Sequence, residues 1–429
     1  MRNVFCTGLV LALATGAGCK WTEFDDLENQ TWVSSTQKPN GDSTDYGVAM
    51  QRAQRNATGG KLVVIGASQA QFTELVYAPN GDETLAPTAL KLNTQFGIGN
   101  LDTQPILLAD PTPTSDDVSL VVNSGGQSIA VLTGSGGLIA HQVFGPEQPD
   151  AATYMVPPPR VDQPALPTPA QVLVGAVDGL YGAFVANTPN PQPKCQLVDE
   201  TSTAITVRSL GTARVSSQTY DDVVVWGVTT TGTPAGKLLL YPGSVFNGPP
   251  PVGDGTCSVM TQPLALSTPL ATTFVPGKGS QILVVDSTHF IVVGHKDLGT
   301  PDSFLALFKI DPVAKSFAVV GTPVTLPDLR TAAIYDDGTK KYVVAGYPTA
   351  LFDGVKAGHV MVFPLDLTNG IDGTPAMTLN DAQPEDQQQF GRAIAVTPFN
   401  GHPAIAVAAD NEIFFYYRTQ LYDETRTGK

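Results

Sequence analysis

Basic side chains are scarce in this 429-residue chain: 24 Lys and Arg face 39 Asp and Glu, for a formal charge of −15. That balance excludes a nucleic-acid partner, whose binding rests on cations that neutralise phosphates. It equally excludes a polybasic patch for an anionic membrane surface. Cysteine is rarer still, at four, too few for a disulfide-built scaffold. The five histidines (His141, His289, His295, His359 and His402) show no metal-ligand spacing. After the N-terminal segment, no apolar run approaches the ~20 residues that a spanning helix needs. Sustained helical periodicity is missing too.

Catalytic signatures are also wanting. There is no G-x-S-x-G elbow, and Gly134-Ser135-Gly136-Gly137 reads as a turn between strands. H-E-x-x-H and P-loop motifs do not occur. Thr58-Gly59-Gly60-Lys61 leads into a strand, whereas phosphate cradles of that kind use helix N-termini. His289 and His295 flank one apolar strand six residues apart and so share a face. They suit an axial channel, but packing is the simpler reading. Carboxylate pairs for glycosidic chemistry have a three-dimensional separation that sequence does not reveal.

What the chain has is repetition. Seven short runs of β-branched and small apolar residues start at Leu62, Val118, Gln171, Asp222, His289, Lys341 and Pro403. Their spacing of roughly fifty to seventy residues is the range of blades or solenoid units. A second run follows most of them, starting at Phe72, Leu180, Lys237, Phe304, His359 and Glu412. The 42 Gly and 35 Pro fall between the runs, as turns do in a many-stranded all-β protein. A single core stops growing at about 250–300 residues, a limit that repeats escape by packing on their neighbours.

The clearest repeat has four strands: Leu329–Tyr335, Lys341–Tyr347, His359–Leu365 and Ala376–Asn380. Strands that are apolar throughout are buried on both faces, and radial stacking of sheets provides that burial while leaving only short edges. Small residues in the inner runs (Gly66, Gly227, Gly294, Gly346, Ala408) fit a crowded axis. We therefore expect an all-β seven-bladed β-propeller over residues 45–420, with a C-terminal tail at 421–429. The seventh repeat is one strand short, and Thr31–Ser35 is strand-like. The expectation is that this N-terminal strand joins the last blade and closes the ring.

The N-terminus reads as an address. Arg2 precedes an apolar stretch from Val4 to Gly18 that is too short to span a membrane, so residues 1–18 read as a signal peptide. The ending Gly16-Ala17-Gly18-Cys19 resembles the lipobox of bacterial lipoproteins, with Gly16 where Leu is usual. The resemblance implies lipidation at Cys19, an anchor contributing about 0.8 kcal/mol per buried CH₂. Residues 19–44 then serve as an acidic tether that includes the closing strand. Export also makes Cys195 and Cys257, placed in Pro/Gly-rich loops, a candidate disulfide.

Phe390-Gly391-Arg392-Ala393-Ile394-Ala395-Val396, followed by Asn400-Gly401 and Ala404–Ala408, resembles one FG-GAP repeat of integrin α-subunit-like propellers. Tyr46-Gly47-Val48-Ala49 with Leu62–Ser68 resembles another, Phe96-Gly97 opens a third, and Gly346-Tyr347-Pro348 echoes the closing half. Motifs cover about a third of the chain, and the period covers most of it. The family often carries a calcium loop between its first two strands. Here Asp336 and Asp337 beside Gly338 come nearest and Asp116-Asp117 next, and β-turn chemistry accounts for both pairs. We expect no cofactor, with calcium the only candidate.

The functional expectation is a monomeric, non-enzymatic cell-envelope lipoprotein that binds a protein or glycan. It touches the membrane through its lipid alone, on the outer-membrane or periplasmic side. The Pro-rich loops at Pro157–Pro169, Pro189–Pro193 and Gly248–Gly255 would form the recognition surface. The alternative is an envelope hydrolase or lyase acting on polysaccharide or peptide at the channel.

Overall fold

The computed structural model describes residues 32–37, 46–53, 61–66, 71–77, 83–84, 90–91, 106–109, 118–122, 128–132, 138–143, 149–155, 171–176, 179–184, 195–199, 201–217, 219–230, 234, 236–243, 255–258, 275–295, 302–311, 313–314, 316–352, 354–381, 384–399, 402–410 and 412–417. Every regular element among them is a β-strand. The signal segment, Cys19, Asp116, Asp117 and the three Pro-rich loops (save Gly255) lie outside the described residues.

β1 (Trp32–Gln37) precedes seven groups of strands. The first sheet holds β2 (Tyr46–Ala53), β3 (Lys61–Gly66), β4 (Gln71–Tyr77), β5 (Glu83–Thr84) and β6 (Leu90–Lys91). The second holds β7 (Ile106–Ala109), β8 (Val118–Val122), β9 (Ser128–Leu132) and β10 (Leu138–Val143). The third begins β11 (Pro149–Met155), β12 (Gln171–Ala176), β13 (Gly179–Phe184) and β14 (Cys195–Val198). The fourth is β15 (Ile205–Ala213), β16 (Asp222–Thr229) and β17 (Gly236–Tyr241). β18 (Gly255–Ser258) comes next in the chain but pairs in parallel with β14 of the third sheet. The fifth is β19 (Gln281–Val284), β20 (His289–Gly294), β21 (Asp302–Asp311) and β22 (Ser316–Pro327). The sixth is β23 (Thr331–Asp336), β24 (Lys341–Tyr347), β25 (His359–Asp366), β26 (Gly370–Ile371) and β27 (Met377–Leu379). The seventh is β28 (Ala393–Phe399), β29 (His402–Ala409) and β30 (Glu412–Tyr417), and β1 pairs antiparallel with β30 from Trp32↔Tyr417 to Gln37↔Glu412.

All seven apolar runs of the sequence are second strands of these sheets, and the aromatic-ended runs are third strands. Burial explains the pattern, since every residue of β16 and of β20 is buried. Among the described residues, no single core exists. Apolar clusters instead sit between sheets: third with fourth, fourth with fifth, fifth with sixth, sixth with seventh, and seventh with first. In sequence order, the first strand of each sheet lies against the first strand of the next. β28 of the seventh lies against β2 of the first.

The joints between sheets repeat a local device. Gly391, at φ +92°, lies against Gly346 of the preceding sheet, where an added Cβ would come within 2.2 Å of the Gly391 carbonyl oxygen. Gly47, at φ +82°, lies against Ala408 of the seventh sheet, whose Cβ would be 2.8 Å from a Cβ on Gly47. Both glycines follow a buried aromatic, Phe390 or Tyr46. Positive φ favours Gly, and the close approach enforces it.

The described small residues of the second strands are packed against neighbouring strands rather than against one another. Gly346 and Ala408 are crowded by the next sheet, Gly227 by Ile205 and Thr206, and Gly294 by the ring of Phe304. The two cysteines also depart from expectation, because both lie in strands rather than loops. Cys195 faces Gly255 and Leu197 faces Cys257 across the β14–β18 ladder. The cysteines are therefore offset by two residues, and facing positions would require the strands to slip by that amount.

Candidate functional site

All seven first strands contribute to one cavity of about 470 Å³. Apolar side chains make most of its wall, among them Met50, Ile106, Leu108, Ile282 and Ile394. The charged residues come from strand beginnings or just before them: Asp150 on β11, Lys278 ahead of β19 and Arg330 ahead of β23.

Two ladder irregularities bring opposite charges together. The β11–β12 register shifts between Pro149 and Ala151, and the β15–β16 register shifts between Val207 and Ser209. Asp150 and Arg208 are the extra residues at these shifts. Bulged residues leave the ladder and are re-aimed. Here Arg208 Nη1 donates to Asp150 Oδ2 at 2.5 Å, joining the third sheet to the fourth. Lys278 Nζ stands 3.7 Å from Asp150 Oδ1. The carboxylate is buried, so two cations compensate a charge that burial would otherwise penalise. Gln281 adds a link from fifth to sixth sheet, its Oε1 accepting from the Ala332 amide at 3.2 Å.

His295 follows β20 and lines the same cavity, only 7% exposed. Its amide donates to Ser280 Oγ at 3.2 Å, and its Nδ1 is 3.3 Å from Ser303 Oγ. Its Nε2 has no hydrogen-bond partner. Burial lowers its pKa to about 4, assisted by the charge of Arg330 and opposed by a backbone hydrogen bond to Arg330. The imidazole is neutral at physiological pH.

The other sequence candidates are separated from this cavity. His289 begins the strand that His295 follows, and its Nδ1 lies 2.9 Å from Asp286 Oδ2 beside Thr288. Those bonds close a turn between β19 and β20, so packing accounts for His289. His359 stacks on Tyr347 with ring centroids 5.1 Å apart and lies near Phe352. Burial lowers its pKa. His141 and His402 fall within β10 and β29. Asp336 and Asp337 sit at the β23–β24 turn. Asp336 accepts from the Gly338 amide and from Lys341, while Asp337 accepts from Thr339 and the Lys340 amide. Their oxygens are thus engaged by the turn itself. Among the described residues, no group of three His, Cys, Asp or Glu has the geometry to hold a metal.

Sequence reasoning missed Asp150, Arg208, Lys278 and Arg330. The available signal was positional: each cavity charge sits where a first strand begins, bulges or is about to begin.

Neither a protein-family model nor a curated protein matches the sequence. Solved structures do match. A chain of the Chaetomium thermophilum Polycomb Repressive Complex 2 bound to GSK126 superposes with a TM-score of 0.51 at 10% identity, covering 90% of this chain and 98% of that one. An autoinhibited apo ctPRC2 gives 0.51 at 9% identity, covering 91% and 97%. The Dos1 propeller, at 10% identity and a TM-score of 0.44, covers 90% of this chain and 94% of its own, a score too low to carry weight. These likenesses concern fold alone. The chain is an all-β repeat protein.

Proposed function

We propose that this chain is a seven-bladed β-propeller, closed by β1 in the sheet of β30, which acts as a binding scaffold for a protein or glycan at the cell envelope. The observation that carries the reading is the cycle of first strands, in which β28 meets β2 as each earlier first strand meets its successor. The matching Gly47–Ala408 and Gly391–Gly346 joints support it. They also support an FG-GAP-type repeat, because aromatic-Gly pairs open the first and seventh sheets at a φ that favours glycine.

The cavity lining favours binding over hydrolysis. Asp150 is engaged by Arg208 and Lys278, leaving no free carboxylate pair among the described lining residues. In this reading Cys19 carries the lipid and residues 19–44 hold the propeller off the bilayer. Cys195 and Cys257 form a disulfide after a local register change. The Pro-rich loops offer the binding surface, as loops on rigid scaffolds commonly do.

Two measurements test this. Metabolic labelling with palmitate should mark the wild type and not Cys19→Ser, and equal labelling would refute the anchor. Capture from solubilised envelopes should depend on residues 157–169, and identical captures with and without them would refute the loop surface.

A further inference from the structure

Buried polar atoms without partners gather at one end of the sixth sheet. His359, the first residue of β25, is half-buried, yet both of its ring nitrogens are solvent-inaccessible and neither has a hydrogen-bond partner. Tyr347 pairs with it across β24–β25, is only 3% exposed, and has an equally unpartnered Oη. The two rings stack with centroids 5.1 Å apart, and the Phe352 ring lies 6.3 Å from that of His359. A neutral imidazole in this setting leaves one donor and one acceptor unmade. An imidazolium would leave two donors and a buried charge. Among the described residues, no acceptor stands within reach of either nitrogen.

The charged groups of neighbouring segments supply no counter-ion. Lys356, Glu385 and Asp386 are exposed, Asp381 beyond β27 accepts from Gln388, and Arg392 pairs with Asp410. Arg330, ahead of β23, acts on His295. Burial alone lowers the His359 pKa. Phe352 belongs to the connection from β24 to β25 (residues 348–352 and 354–358), which is tied down by backbone bonds. The Ala350 amide donates to the Tyr347 carbonyl at 3.2 Å, the Gly358 amide to the Ala350 carbonyl at 3.1 Å, and Phe352 and Val355 exchange two bonds. The same connection holds the segment that leads into the seventh sheet. The Gln387 amide donates to the Lys356 carbonyl at 3.0 Å, and the Phe390 amide to the Ala357 carbonyl at 2.8 Å. Gln387 and Gln389 have φ of 62° and 55°, so this segment is held in a conformation that non-glycine residues disfavour. Ala393 and Ile394 follow it in β28 and line the cavity.

We propose that His359 is an acid-operated latch: a proton added to its ring has no acceptor while the rings are stacked, so protonation releases the connection that carries Phe352 and, through it, the segment before β28. The latch therefore links pH to one wall of the cavity, whatever the cavity binds. In the open form the imidazole has the ordinary pKa of about 6.5, whereas burial depresses it in the closed form. The open form thus takes up the proton first. The closed form is fully favoured above that pH and loses ground as pH falls below it.

Hydrogen exchange on the full chain, with amide protection factors compared at pH 7.5 and 5.5, tests the latch. Protection of the Gly358, Gln387 and Phe390 amides should fall several-fold, with a ceiling of about tenfold for one proton. His359→Phe puts carbon in place of both unpartnered nitrogens and should abolish the fall. Tyr347→Phe removes the other unpartnered atom, leaves the titrating group in place and should retain the fall. His295→Asn should retain it too. Independently of any variant's folding, NMR titration of the wild-type chain should give His359 a pKa below 6.5. Unchanged protection at those three amides, an equal fall in His359→Phe, loss of the fall in His295→Asn, or a His359 pKa at or above 6.5 would each overturn the proposal. None of these results bears on the lipid anchor or on loop-dependent capture, so the two readings fail separately.

Discussion

The joint between the fifth and sixth sheets and the joint between the seventh and first make a natural pair. The first is formed by consecutive pieces of chain. The second brings residues 46–64 against residues 393–415, the two ends of the described protein. Local connectivity aids the one, and the other must meet a somewhat larger loop-closure cost. Yet both bury the same kind of surface. Ile291, Leu305, Val343 and Phe363 fill one, and Tyr46, Leu62, Ile413 and Phe415 fill the other. The difference teaches that a joint between segments far apart in sequence rests on packing and on strand pairing at Trp32–Gln37 rather than on proximity along the chain. Loop-closure entropy grows only logarithmically with length, so a well-packed joint overcomes it.

The largest expected effect breaks this equivalence directly. Phe363 and Phe415 are both essentially inaccessible, one in each joint. Phe→Ala in a core costs about 3–5 kcal/mol. Phe363→Ala and Phe415→Ala should therefore lower stability by the same amount in urea unfolding. A much smaller loss for Phe415→Ala would mean that the closing joint is loose.

Glycines sharpen the comparison at a smaller scale. Gly346→Ala drives a Cβ against the backbone oxygen of Gly391, which has no rotamer to relieve it. Overpacking of that sort costs about 1–3 kcal/mol. Gly47→Ala meets instead the Cβ of Ala408, and it adds the strain of positive φ. The second clash is removable: Ala408→Gly should recover part of the loss in a double-mutant cycle. No coupling between positions 47 and 408 would show that the first and seventh sheets do not touch there.

The repeat pattern was legible because second strands are buried on both faces and announce themselves as continuous apolar runs; β16 and β20 are complete examples. The strand preceding Tyr46 was legible from a deficit, since the last repeat ends with EIFFYY and lacks a partner strand for it. The site was not legible, for a physical reason. Asp150 and Arg208 meet through two bulges 58 residues apart, and bulges carry no period. Lys278 and Arg330 sit just ahead of first strands, where a cation is unremarkable until the fold places both beside one cavity. His295 was singled out by its six-residue spacing from His289, yet only His295 reaches the cavity lining.

Acid offers the finest distinction between the two joints. His295 follows Gly294 as Ala409 follows Ala408, so one joint carries an ionisable group where the other carries a methyl. Burial holds His295 near a pKa of about 4 in the folded chain, against about 6.5 when unfolded. Because the folded value is depressed, the unfolded state takes up the proton first. Its contribution to stability is complete above pH 6.5 and declines as pH falls toward 4. At pH 5.5 the loss is about 1 kcal/mol. Hydrogen exchange between pH 7 and 5.5 should thus show β20 and β23 losing protection before β2 and β28 do. In His295→Asn the difference between the joints should shrink, the remainder belonging to His359, whose pKa burial also lowers. Equal loss at both joints in the wild type would assign the acid sensitivity elsewhere.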